Sequence, residues 1–187
     1  MKNKYVVSPR ENRNYVRKNM DTLIDNALTL SRYGKDDPVT EIARRNFEEA
    51  FNFILTGENI ETDNECLLEI HRIMMRDLNE NIHSELSEEQ CEELAAMINQ
   101  PAKANVEIAL DVMLYILDRR LFEDGDVRVA IMFANKIMIE NGGGVISVPG
   151  SYRAKFRELY YDYKETHSDE FKNWLYKYCI KGPKVEY

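Results

Sequence analysis

The residues best equipped for chemistry lie in one short stretch, Leu121-Phe122-Glu123-Asp124-Gly125-Asp126-Val127-Arg128. Carboxylates and a guanidinium surround a single glycine, directly ahead of an apolar segment. Such a loop presents backbone N–H groups at a helix N-terminus, where the aligned peptide dipoles favour an anion such as phosphate. Asp124 and Asp126, two apart and with Glu123 alongside, also suit a bare divalent-cation loop. A plainer alternative is that these acids cap the following helix and pair with Arg119, Arg120 or Arg128.

Two long segments must position that loop. From Ala104 to Arg120, apolar residues at Val106, Ala109, Leu110, Met113, Leu114, Ile116 and Leu117 cover more than half of a helical circumference. From Val129 to Asn141 the segment is apolar almost all round, and it is closed by Gly142-Gly143-Gly144. Both read as buried helices, so residues 104–142 form the centre of the domain. Further helical periods precede them: one from Tyr15 to Tyr33-Gly34, one opened by Asp37-Pro38, and one capped by Asp63. Asn79 to Leu86 has no strong period, and Ser87 with Gln90 forms a capping box for the next helix. His71 falls on or beside an apolar face, where a hydrogen-bonded core histidine is the commoner outcome. Val145 to Pro149 reads as a short strand or extended connector. Tyr152, Phe156, Leu159, Tyr160 and Tyr163, then Phe171, Trp174, Leu175 and Tyr178, give two aromatic-rich helices. The expected fold is all-α, with about seven or eight helices around two central ones.

Length and composition agree. The 187 residues suffice for one domain with a sizeable core, and few glycines and prolines favour helices. The basic segment 1–18, with Lys2, Lys4, Arg10, Arg13, Arg17 and Lys18 against Glu11, reads as a solvated arm or helix start. A net charge of −8 argues against general nucleic-acid binding. No apolar run approaches the length of a membrane span, and no signal core follows Met1, so a cytoplasmic location is expected. Cys66, Cys91 and Cys179 form no metal or disulfide pattern. His71, His83 and His167 lack metal-ligand spacing.

The loop and its flanks resemble the signature of Fic (Fido-domain) proteins, H-x-F-x-[DE]-G-N-[GK]-R followed by a helix with an Asn and a Gly-rich exit. Phe122, Asp124, Gly125, Arg128, Asn135 and Gly142 match. Arg120 stands at the position of the family's His, Asp126 at that of its Asn, and Val127 at that of its Gly or Lys. The resemblance implies a single Fic-like domain over residues 1–187 and protein adenylyltransferase chemistry: AMP moves from ATP to a target hydroxyl, with Mg²⁺ on the phosphates. It implies Phe122 as an anchor, Asp124 as the Mg²⁺ ligand, and Gly125, Asp126 and Arg128 as the nucleotide phosphate site. Leu67 to His71 is similar to a Leu-x-x-x-His pattern of the family. The family's β-hairpin flap, which docks targets by strand addition, has no clear counterpart here.

The departures bear on activity. A guanidinium cannot serve as a general base near neutral pH, and loss of such a base costs about 10²–10⁴-fold in rate. Asp126 exchanges a hydrogen-bond donor for an acceptor-only carboxylate, which repels a phosphate unless a metal bridges them. Val127 adds a β-branched side chain where close backbone approach is expected. The leading expectation is a catalytically impaired, Fic-like pseudoenzyme or regulatory binding protein, with weak Mg²⁺–ATP binding at most and a protein partner not identified by the sequence. The alternatives are an active nucleotide-dependent transferase or bacterial toxin with its base relocated to Asp126, and a helical interaction module that binds no nucleotide.

Overall fold

A computed structural model describes residues 1–30, 37–56, 60–79 and 85–183. Eight α-helices run through them: α1 (Pro9–Leu30), α2 (Pro38–Thr56), α3 (Asn64–Met75), α4 (Glu88–Ile98), α5 (Asn105–Arg119), α6 (Asp126–Glu140), α7 (Arg153–Thr166) and α8 (Glu170–Cys179). The all-α expectation and the two central helices both hold. The end expected at Tyr33-Gly34, and most of the aperiodic stretch before Ser87, lie outside the described residues.

Local signals set four of the eight starts. The Asp63 carboxylate accepts the Cys66 N–H at 2.9 Å, and Ser87 and Gln90 complete the expected capping box. The Asp37 carboxylate accepts the Val39 N–H at 3.0 Å, with Pro38 opening α2. Helix α1 begins at Pro9, ahead of the apolar period from Tyr15, because Ser8 and Glu11 cap it reciprocally: Glu11 N–H to Ser8 Oγ at 3.2 Å and Ser8 N–H to Glu11 at 2.9 Å. The basic arm is therefore mostly the exposed face of a helix. Helix α3 stops at Met75, short of Leu78, and Asp77 takes a left-handed φ of 58° in the turn that follows.

Helix α6 is encased, every residue from Arg128 to Ile139 being buried. Full enclosure forces its polar side chains to find partners inside the protein. Asn135 exchanges hydrogen bonds with the backbone of Ile146, donating at 3.0 Å and accepting at 2.6 Å. Lys136 donates to the Ile60 carbonyl at 2.8 Å and pairs with Glu140. After α6 the chain turns at Gly142, where a Cβ would fall 1.7 Å from the Val7 carbonyl oxygen, so only glycine fits. The short strand is present as β1 (Val145–Ile146), paired antiparallel with β2 (Ile180–Lys181). Its partner lies thirty-odd residues on, beyond the reach of local periodicity. Among the described residues no helix is long and apolar enough to cross a membrane.

Candidate functional site

The α5–α6 turn is held from below by α3. The His71 and Phe122 rings stack with centroids 3.9 Å apart, and His71 Nε2 lies 3.1 Å from the Asp124 carbonyl oxygen. A neutral imidazole protonated at Nε2 donates to that carbonyl. Burial, more than any other influence, holds the His71 pKa below its ordinary value and so favours this neutral form. His71 is thus a hydrogen-bonded core residue, and it anchors the loop. Gly125 begins α6 at φ 90°, and a Cβ there would meet Met75 Sδ at 2.7 Å. Both facts require glycine.

Two of the loop's three acids are turned inward onto its own amides. Asp126 accepts the Phe122 N–H at 3.1 Å, and Asp124 accepts the Gly125 N–H at 2.8 Å. Asp124 also lies 3.8 Å from Arg128, the pairing anticipated for a structural loop. Arg119 turns away and binds Glu93 at 2.9 Å. Arg128 is almost fully buried, with a guanidinium nitrogen 3.0 Å from Met75 Sδ. Burial pushes the Asp126 carboxyl up to about 6, against the opposing pull of the Phe122 N–H and of Arg120.

Above the loop is a cavity of about 440 Å³, lined by Arg120, Glu123 to Arg128, and Tyr160, Tyr161 and Lys164 of α7, with Leu30 at one edge. Every candidate site residue except the buried anchor Phe122 reaches this cavity. Asn135 does not, because its amide is committed to β1. Three cations (Arg120, Arg128 and Lys164) face three carboxylates, so the walls are close to charge balance. Sequence reasoning missed Met75, Tyr160, Tyr161 and Lys164 as site residues. Tyr160 and Lys164 are four apart on one helix face, but nothing local ties that face to a loop some forty residues earlier.

Arg120 ends α5 in a left-handed conformation, φ 47°, and brings a guanidinium to the cavity. For Mg²⁺ the loop offers chiefly Asp124, already shared between the Gly125 N–H and Arg128, and no group of three metal-binding side chains occurs among the described residues. A hard cation that needs several oxygens fits this donor set poorly.

No family model matches the chain, and no curated protein matches it in sequence. Among solved structures it is similar to Fic-1, residues 134–508, from C. elegans, with a TM-score of 0.69 at 13% identity. The likeness covers 89% of this chain and 60% of that one. At this identity it is the fold that is shared. The protein has the helical architecture of a Fic domain, with Arg120 and Asp126 in the α5–α6 loop.

Proposed function

We propose that this Fic-fold protein does not transfer AMP by the family's route and acts through binding, as a pseudoenzyme or regulatory partner. The observation that carries this reading is the state of the loop. Arg120 occupies the base position, and the carboxylates of Asp124 and Asp126 take up amides that would otherwise face a phosphate. An incoming nucleotide has to displace those bonds and meets two negative charges, with no base behind them. ATP binding at the cavity is accordingly weak. The test combines ATP labelled at the α-phosphate, Mg²⁺, the purified protein and a cell lysate. No labelled protein is expected; label transfer that Arg128→Ala abolishes would sink the proposal.

Asp126 supports a second reading, because its carboxyl lines the cavity beside Arg120. In a transferase or toxin with a relocated base, Asp126 would take the proton from the target hydroxyl. Activity left unchanged by Asp126→Asn removes it from that role. Calorimetry with ATP, GTP and CDP-linked nucleotides, with and without Mg²⁺, separates both readings from a plain interaction module, for which no heat is expected.

A further inference from the structure

A second recess lies elsewhere. A groove of about 640 Å³ lies along the N-terminal part of α3, lined by Phe53, Ile60 and Leu68 and by Glu61, Asp63, Glu65, Glu69 and Arg72. Its floor is apolar. Its rim carries four carboxylates against one guanidinium, and that guanidinium is paired with Glu69. Among the described residues, neither Glu61 nor Glu65 has an ion-pair partner. Burial pushes the Cys66 thiol up to about 12, so the groove offers no nucleophile and its chemistry is recognition.

The wall from Ile60 to Asp63 is fixed from inside. The fully buried Lys136 holds the Ile60 carbonyl, Glu140 pairs with both Lys136 and the Thr62 hydroxyl, and Asp63 is bound to the α3 N-terminus. Placing a lysine in the interior is unfavourable unless its charge is well paired. Here it holds the backbone at Ile60, and a recess whose wall is already held in place binds at a lower ordering cost.

We infer that this groove docks a cationic amphipathic segment of a partner protein, with apolar side chains on Phe53, Ile60 and Leu68 and Lys or Arg side chains at Glu61, Glu65 and Glu69. Charge complementarity selects that occupant: an acidic peptide or a nucleic acid is repelled by the rim, and a purely apolar segment leaves the unpaired acids uncompensated. The groove is separate from the cavity at Arg120, so the inference stands whatever becomes of the nucleotide question.

The probe is a fluorescein-labelled Leu/Lys amphipathic helix of about 14 residues, followed by anisotropy against the intact protein. Three variants are compared: Glu61→Gln with Glu65→Gln and Glu69→Gln; Glu48→Gln with Glu92→Gln and Glu165→Gln; and Leu68→Ser. Asp63 is left alone because it caps α3. Both triple variants lose the same charge, but the second loses it from exposed sites outside the groove. Saturable binding weakened about tenfold by the groove triple and by Leu68→Ser, with less than about a twofold change for the other triple, is the expected result. No saturable binding, equal loss in the two triples, or indifference to Leu68→Ser would each overturn the inference. Circular dichroism shows that each variant is folded before it is compared.

Discussion

At the scale of single residues, Asp126 is the most informative. Its ordinary pKa of 3.8 rises to about 6 in the fold, chiefly through burial. An acid whose pKa is raised by folding destabilises the folded state above the higher value, and this cost disappears as pH falls towards the lower one. Asp126→Asn keeps an acceptor for the Phe122 N–H and removes the charge. Chemical denaturation is expected to find the variant more stable by about 1–2 kcal/mol at pH 7.5 and equal to the parent near pH 3. His71 works in the opposite sense. Its depressed pKa makes it a source of stability above about 6.5 that is lost as pH falls and the unfolded chain takes up a proton. Comparing parent and variant at each pH therefore isolates Asp126. Gly125→Ala is expected to cost about 2–3 kcal/mol by thermal melting, since φ is positive and Met75 Sδ stands where the Cβ would go.

Among the elements, α6 decides how the site is held. A helix buried on all sides can carry polar residues only where another element supplies partners, and each such residue is therefore a tie. Asn135 ties α6 to β1 and Lys136 ties it to the connection before α3. Asn135→Ala leaves the N–H and C=O of Ile146 without their partner in a dry interior. Denaturation is expected to show a loss of about 2–4 kcal/mol, with nucleotide binding, if any, changed only through stability. A selective loss of binding at unchanged stability would instead place Asn135 in the site. The signature match at Asn135 was visible in the chain, but its role was not: a sequence does not say which neighbour faces a given side of a helix.

For the whole molecule, one continuous core joins α1–α8, and the strand pair returns the far end of α8 to the exit of α6. A single core predicts a single cooperative transition. Far-UV circular dichroism and the fluorescence of Trp174, the one tryptophan, are expected to give superimposable urea curves; separated midpoints would divide the fold into independent units. The amino-acid order alone established the helices, the caps at Asp37, Asp63 and Ser87, the central pair and the loop between them, because 3.6-residue periodicity and capping chemistry act over a few neighbouring residues. The resemblance to the Fic signature also sets Arg120 at the position of that family's His, which is a matter of residue type. Only the tertiary structure decided that Asp124 and Asp126 turn onto their own loop amides, that His71 and Met75 support the loop, and that Tyr160 and Lys164 complete the cavity. Those contacts depend on the directions in which distant helices present their side chains. Direction is set by packing across the core, and the physical signals within a single stretch of chain do not reach that far.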